Sequence, residues 1–161
     1  MRKIKRKQKI YFPDPKFNDP LVTRFVNHLM KNGKKNLAYK IFYHAMDKID
    51  SINSHKENNK TALEIWKEGL NNVMPHVEVR HRRMGGANIQ IPVPIAPKNK
   101  VTKSIKLLIT SAYKRKNEKT MSDKLASEII DAFNSQGEAF KKKENIHKMA
   151  EANKAFSHFR F

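Results

Sequence analysis

The segment Val77–Val93, with the sequence VEVRHRRMGGANIQIPV, decides the fold that this sequence predicts. Apolar residues alternate with charged or polar residues on both sides of the glycine pair, and a period of two is typical of half-buried β-strands. Gly85 and Gly86 tolerate the positive φ that a tight turn requires. The segment therefore predicts a two-stranded antiparallel β-ribbon.

The tip of this ribbon is basic, since Arg80, His81, Arg82 and Arg83 precede the turn. A lone hairpin is only marginally stable in water. We therefore expect the ribbon to be held against a polyanion. The alternative that this segment leaves open is a surface hairpin whose basic end is solvated.

Helices are predicted on both sides of the ribbon, because apolar residues recur there at helical spacing. Phe25, Ile52 and Trp66 lie on the expected buried stripes of the first, second and third helices. Three more helices follow the ribbon. The expected helix starts are at Asp19 with Pro20, Asn36, the capping box of Thr61 and Glu64, Pro97, Thr120 or Ser122, and Glu138. The expected helix ends are at Asn32 with Gly33 and near Gly137.

The predicted fold class is mainly α: a six-helix domain with a protruding two-stranded antiparallel β-ribbon between the third and fourth helices. Residues 19–161 are expected to form a single domain with the ribbon at about 77–93. Residues 1–18 are expected to be a basic N-terminal arm and connector. We find no internal repeat.

The net charge of the chain is +19, from 34 Lys and Arg against 15 Asp and Glu. Such a charge favours a polyanionic partner, and nucleic acid is the first candidate. A membrane is disfavoured because no apolar run approaches the roughly 20 residues of a span. There is no cysteine, which excludes disulfides and thiolate metal sites and is compatible with a reducing compartment. No apolar segment follows the basic N-terminus as in a secretory signal, so we expect a cytoplasmic protein.

Catalytic motifs are missing from the sequence. His-Glu-x-x-His and G-x-G-x-x-G do not occur, and Gly33-Lys34 lacks the upstream glycine and the following Ser or Thr of a P-loop. We therefore expect no enzyme activity, no metal and no cofactor.

Two basic regions are candidate phosphate contacts from their charge alone. For the N-terminal arm the alternative is a solubilising tail, and for the fourth helix it is an ordinary solvated face. The arm contains Arg2, Lys3, Lys5, Arg6, Lys7 and Lys9; the fourth helix carries Lys98, Lys100, Lys103, Lys106, Lys114, Arg115 and Lys116.

The motifs jointly resemble one family, ribosomal protein seven of the small subunit (the universal uS-seven family) in its bacterial form. The resemblance covers the chain from about Asp19 to the end. It is carried by the ribbon, by LVTRFVNHLMKNGKKNLAYKIFY at residues 21–43 and by KKKENIHKMAEANKAFSHFRF at residues 141–161.

The resemblance implies a structural constituent of the small ribosomal subunit, in the cytoplasm. It implies a primary 16S-type rRNA-binding protein that nucleates assembly of the subunit head, the 3′ major domain. Small-subunit protein eleven is the expected neighbour, exit-site tRNA and mRNA are expected near the ribbon tip, and no homo-oligomer is expected. The ribbon-tip residues that the resemblance implies are Arg82, Arg83, Met84, Gly85, Gly86 and Asn88. The rRNA contacts that it implies are the basic residues of the N-terminal arm and of the fourth helix, together with Lys34, Lys35, Arg80, Arg82, Lys141, Lys142 and Lys143.

Two other classes of protein remain as alternatives. An architectural protein that clamps duplex DNA with a basic ribbon arm has a similar outline, although such arms often wedge an apolar side chain between base steps, and only Met84 is available at this tip. A helical bundle dedicated to protein interaction fits the fold but leaves the charge of +19 unexplained.

Overall fold

A computed structural model describes residues 11–54 and 60–159. Within these residues the chain is mainly α, with a two-stranded antiparallel β-ribbon between the third and fourth helices, so the predicted fold class is confirmed. The elements are α1 (Pro20–Leu29), α2 (Lys35–Ser54), α3 (Ala62–Asn72), β1 (Val77–Met84), β2 (Ala87–Pro94), α4 (Pro97–Lys114), α5 (Met121–Phe133), α6 (Gly137–Ala152) and a 3-10 helix (Lys154–Phe159). The chain divides into two compact units, Met1–Lys40 and Ile41–Phe161, and the single domain at 19–161 stays a prediction.

In the first unit, α1 begins as the sequence predicts. The carboxylate of Asp19 accepts a hydrogen bond from the backbone N–H of Leu21 at 2.7 Å, and Pro20 opens the helix. Asp14 is buried, and its carboxylate accepts the backbone N–H groups of Lys16 and Phe17 at 3.1 Å each. This second aspartate organises the turn that leads into α1.

The connection between α1 and α2 differs from the prediction at both ends. Helix α1 ends at Leu29 instead of continuing to Asn32 and Gly33. These two residues have φ of 51° and 73°, so they form a left-handed turn outside the helix. Asn36 is also not a cap, because α2 begins one residue earlier. The N–H of Lys35 already donates to the carbonyl of Gly33 at 2.8 Å.

In the second unit, the prediction that Ile52 lies on the buried stripe of α2 is wrong. Its side chain is 42% exposed. The N–H of Ala62, at the start of α3, donates to the carboxylate of Asp50 at 3.0 Å. Helix α3 therefore starts beside Asp50, and α2 extends about one turn past this contact.

Helix α3 begins at the predicted capping box. Thr61 Oγ1 accepts the N–H of Glu64 at 3.3 Å, and Glu64 accepts the N–H of Thr61 at 2.9 Å. The hydrogen bond from the Thr61 backbone lowers the pKa of Glu64. Trp66, one turn later, is fully buried and meets the ring of Phe42 edge to face, with centroids 5.4 Å apart.

Helices α3 and α5 approach closely at Gly69. A Cβ at this position would lie 3.1 Å from the carbonyl oxygen of Ile129, which is closer than ordinary packing permits. One turn further along, the side-chain amide of Asn72 donates to the carbonyls of Ala132 at 3.2 Å and Phe133 at 3.0 Å. Asn72 thus caps α5, which ends at Phe133 and not near Gly137 as predicted.

The two ribbon strands pair in a register that joins Met84 to Ala87 and Val77 to Pro94. The turn consists of Gly85 and Gly86 alone, both with positive φ, as a two-residue hairpin turn requires. The predicted ribbon is confirmed, with β2 ending one residue later than expected.

This register has a consequence for the ribbon faces. Directly paired residues share a face, so Val79 lies beside Pro92 while Ile91 lies beside Arg80. The alternating apolar residues of β1 and β2 are therefore on opposite faces of the ribbon. One face carries Val77 and Val79 opposite Pro94 and Pro92, and the other carries Glu78, Arg80 and Arg82 opposite Val93, Ile91 and Ile89.

Candidate nucleic-acid interface

The arginines of β1 are distributed over both faces of the ribbon. Arg80 and Arg82 pair with Ile91 and Ile89, and Arg83 pairs with Asn88 on the other face. All three arginines are exposed. A ribbon with guanidinium groups on both faces can contact phosphates on two sides at once.

The base of the ribbon is tied to α4 by an ion pair. The carboxylate of Glu78 is 14% exposed, contacts Lys103 and accepts from Arg80 Nε at 2.6 Å. The hydrogen bond from Lys103 lowers the pKa of Glu78, while burial opposes that shift. Lys103 itself is 43% exposed. It therefore joins the ribbon to the helix and still presents its ammonium group to solvent.

The remaining predicted lysines at the start of α4 are near the surface. Pro97 opens the helix, and Lys98 in the first turn is exposed. Lys100 Nζ lies 3.3 Å from Nδ1 of His76, the residue before β1. The structure therefore brings the start of α4 and the base of the ribbon into one basic region.

At the other end of α4, Arg115 differs from its neighbours Lys114 and Lys116, which are exposed. Its side chain is 22% exposed, and Nη1 donates to Glu128 and to Asp131 at 2.7 Å each. Nε donates to Glu118 at 3.2 Å. Burial disfavours the charged form, but the hydrogen bonds that Arg115 donates to Asp131 and Glu128 outweigh it and raise the pKa of Arg115. This geometry favours an internal role for Arg115 over the predicted phosphate contact.

The three lysines at the start of α6 have different surroundings. Lys141 is exposed. Lys142 Nζ donates to Ser111 Oγ of α4 at 2.7 Å, and Lys143 Nζ donates to the carbonyl of Asn72 at 2.8 Å. Two of the three predicted contacts therefore also brace α6 against α4 and α3.

The first unit carries two of the predicted contacts. Lys34, just before α2, and Lys35, its first residue, are both exposed, and Lys35 Nζ lies 5.6 Å from the ring centroid of Tyr39. The predicted contacts of the N-terminal arm, Arg2, Lys3, Lys5, Arg6, Lys7 and Lys9, lie outside the described residues.

A groove with a volume of about 510 Å³ lies between the ribbon base, α4 and α6. Val77, Ile95, Leu107 and Ile146 provide its apolar lining. It is also lined by four lysines, Lys103, Lys106, Lys114 and Lys142. We name this feature the lysine groove.

The sequence did not identify the lysine groove. A signal was present in α4, where Asn99, Lys103, Lys106, Thr110 and Lys114 recur at the spacing of one helical face. Nothing local indicated that Val77 and Ile146, which are far apart in the chain, lie opposite this face.

The C-terminal 3-10 helix contacts the ribbon, which the sequence did not predict. Asn153 Nδ2 donates to Gln90 Oε1 at 3.3 Å. Arg82 Nη1 approaches the carbonyl of Phe159 at 3.5 Å. These contacts connect the predicted tip residue Arg82 to the end of the described chain.

We expect His147 of α6 to make the folding stability depend on pH. Its Nε2 accepts the backbone N–H of His76 at 3.2 Å, so it must be unprotonated there. Burial lowers the pKa of His147, as do Lys143 and His76, while Glu144 opposes them. An unfolded chain takes up this proton near pH 6.5, whereas the folded protein does so only at lower pH. The unfolding free energy should therefore fall as the pH drops below about 6.5, down to the lowered pKa of the folded state.

Urea unfolding at pH 7.5 and 5.5 tests this prediction. The His147→Gln variant should lose less stability between these pH values than the unaltered chain. His81→Gln, which removes an exposed imidazole from the ribbon, serves as the control. Identical pH dependence in the unaltered chain and His147→Gln would show that the contact with His76 does not govern the titration.

Within 11–54 and 60–159, no three His, Asp or Glu side chains are grouped as a metal ion needs. No helix in the same ranges is both long enough and apolar enough to cross a membrane.

Comparison with known proteins gives a match over nearly the whole chain. Residues 1–154 match the family described as Ribosomal protein S7p/S5e. Three relatives carry the name Small ribosomal subunit protein uS7, and each alignment covers all of both chains. They come from Karelsulcia muelleri (60% identical over 161 residues), Flavobacterium johnsoniae (57% over 162) and Bacteroides fragilis (56% over 161).

Proposed function

The chain belongs to the ribosomal protein S7p/S5e family, and on this premise we propose that it is a structural constituent of the small ribosomal subunit that binds rRNA. The single observation that carries the proposal is the full-length similarity to relatives named Small ribosomal subunit protein uS7. The family consists of structural ribosomal proteins, which confirms the prediction that the protein is not an enzyme.

The proposed role within the subunit is that of a primary rRNA-binding protein that nucleates the head, the 3′ major domain. Structured RNA is recognised mainly through phosphates, 2′-hydroxyls and shape. Dispersed exposed cations suit that mode better than a single recognition helix does. Support comes from Lys34 and Lys35, Arg80, Arg82 and Arg83, Lys98, Lys100 and Lys103, Lys114 and Lys116, and Lys141, most of them exposed. The N-terminal arm is proposed to add further phosphate contacts.

Binding of the full chain to a labelled 3′ major domain fragment of small-subunit rRNA tests this role. The unlabelled fragment should displace the complex at far lower concentration than duplex DNA of equal length. Affinity should fall steeply with salt, since each phosphate contact contributes about 0.7 to 0.9 to the logarithmic slope. Equal competition by duplex DNA would support an architectural DNA-binding protein instead. Binding that is insensitive to salt would support a protein-interaction bundle.

The ribbon tip is proposed to lie near exit-site tRNA and mRNA, and small-subunit protein eleven is proposed as a neighbour. The tip residues from Arg83 to Asn88 are exposed apart from Met84, which is half-buried. The base of the ribbon is held by other residues, through the pair of Glu78 with Lys103 and the hydrogen bond from the N–H of Ile95 to the carbonyl of His76. The tip is therefore available for a ligand other than the rRNA that the lysines contact.

Shortening the tip tests that separation of roles. Arg82 and Ile89 are directly paired, so replacing residues 83–88 by Asn-Gly keeps the register with a two-residue turn. We expect the shortened protein to enter small subunits at a near-normal level, because its other cations remain. Purified subunits should show reduced tRNA occupancy of the exit site or increased frameshifting.

The matched control is Arg83→Gln, which removes one tip charge and keeps the length of the ribbon. It should change exit-site occupancy less than the shortened ribbon does. Failure of the shortened chain to enter subunits would assign the tip to primary rRNA attachment. Normal entry with unchanged occupancy and frameshifting would contradict the proposed tRNA and mRNA role.

A further inference from the structure

We propose that the lysine groove binds one unstacked nucleotide of RNA, with its base on the apolar lining and its flanking phosphates on the lysines. This inference rests on the proposed function and names a ligand for a part of the surface that the sequence did not single out. The groove volume of about 510 Å³ lies in the range of small-molecule sites, which are concave and mostly apolar with a few placed polar groups.

The lysines provide the first argument. Within 11–54 and 60–159, neither Lys106 nor Lys114 has an ion-pair partner. Both are exposed, and they lie on one face of α4 about two turns apart. Lys142 is held at the groove by its hydrogen bond to Ser111. These lysines therefore supply positive charge beside the apolar lining of the groove, which favours a ligand that joins an uncharged part to anionic groups.

The polar side chains of the groove provide the second argument. Asn99 offers both a donor and an acceptor, and Thr110 offers a hydroxyl. Such groups match the edge of a base and the 2′-hydroxyl of ribose. None of the described residues that line the groove is aromatic. We therefore expect the base to lie between aliphatic side chains. Hydrogen bonds to the edges of the base, and not stacking on an aromatic ring, should determine which base binds.

Glu78 distinguishes this ligand from an acidic peptide with an apolar anchor, which also suits an apolar floor surrounded by lysines. Glu78 is one of the residues that line the groove. Its carboxylate can accept a hydrogen bond from the exocyclic amino group of a base such as cytosine, whereas an ionised acidic side chain has no donor to offer it. Lys103 and Arg80 neutralise it, so it does not oppose the phosphates at the edge.

The absence of cysteine from the chain allows a test on the folded protein. A single Thr110→Cys substitution introduces one thiol into the groove, and alkylation with a bulky maleimide then fills it. The labelled chain should bind the 3′ major domain fragment about tenfold more weakly, and its salt slope should fall because the filled groove also keeps the flanking phosphates from the lysines. Bound RNA should also protect the thiol from the reagent. Asn71→Cys, at an exposed position outside the groove, should show neither effect.

The lysines have a separate test. The double variant Lys106→Ala with Lys114→Ala should reduce the logarithmic salt slope by about 1.4, at roughly 0.7 per contact for single-stranded RNA. Lys119→Ala with Lys148→Ala removes the same charge from exposed positions outside the groove and should change the slope less. Photocrosslinking with RNA that contains 4-thiouridine should join groove residues to one nucleotide.

The outcomes separate this inference from the proposed function. If the unaltered chain binds the fragment while the alkylated groove neither weakens binding nor is protected by RNA, the nucleotide site is wrong and rRNA binding stands. If alkylation leaves rRNA affinity unchanged but a neighbouring protein is lost from assembled subunits, the groove is a protein-docking site and the inference fails. If the unaltered chain does not bind the fragment, the proposed function fails as well.

Discussion

Replacing Trp66 by alanine should lower the unfolding free energy by about 3–5 kcal/mol, the usual cost of truncating a buried aromatic side chain. Trp66 is 0% exposed and packs edge to face on Phe42. Its removal leaves a cavity, and it also removes an aromatic pair whose geometry adds to the hydrophobic term. For a chain of this length, each kcal/mol corresponds to roughly 2–4 °C in melting temperature.

Thermal and urea unfolding of Trp66→Ala and of Leu63→Ala measure this effect. Leu63 lies in the same helix and is only half-buried, so its truncation should cost clearly less. A Trp66→Ala protein that melts within a degree or two of the unaltered chain would show that Trp66 does not occupy the core position that α3 gives it.

The part of α3 that the sequence predicts correctly is its local chemistry. The capping box joins residues only three apart, and the buried positions of Trp66 and Leu70 follow from helical periodicity. The sequence did not predict that Ile65 is also buried while Leu63 is only half-buried. Which neighbouring residues of a stripe are fully covered depends on the helices packed against it, and these come from distant parts of the chain.

The faces of the ribbon were predictable but were not predicted. A turn made of Gly85 and Gly86 pairs every odd-numbered residue of β1 with an even-numbered residue of β2. That parity places Val79 and Ile91 on opposite faces. Reading each strand by its own alternation gave the correct strands, whereas counting through the turn would also have placed the apolar residues of the two strands on opposite faces.

The internal partners of the basic residues could not be predicted from local sequence. Lys142 contacts Ser111, and Lys143 contacts the carbonyl of Asn72, over separations of 31 and 71 residues. A run of three lysines does not reveal which members reach back to other helices. For the same reason, charge alone grouped Arg115 with the exposed Lys114 and Lys116.

Replacing Arg115 by methionine should lower the unfolding free energy by about 3–5 kcal/mol. Its guanidinium lies between the end of α4 and the two carboxylates of α5, Glu128 and Asp131, at 2.7 Å from each. Glu128 is 0% exposed, so the substitution leaves a buried charge without its cation. Breaking one partner of a buried ion pair commonly costs this much.

The turn between α5 and α6 should loosen in the same variant. Glu128 also accepts the backbone N–H of Ala139 at 2.8 Å, near the start of α6. Gly137, the first residue of α6, has a φ of 85°. A Cβ at this position would lie too close to the side chain of Asp131. Faster amide exchange at Ala139 and its neighbours should therefore accompany the loss of stability. Because Lys141–Lys143 follow in the next turn, rRNA binding should weaken indirectly.

Two further variants separate this structural role from a phosphate contact. Lys116→Met removes an exposed neighbouring charge and should leave the melting temperature nearly unchanged while lowering the salt slope of rRNA binding by about 0.7 to 0.9. Arg115→Met with Glu128→Met should recover part of the lost stability, since apolar replacement of both partners of a buried pair is often close to neutral. If Arg115→Met melts like the unaltered chain and lowers only the salt slope, Arg115 is the phosphate contact that the sequence predicted, and Glu128 does not depend on it for compensation.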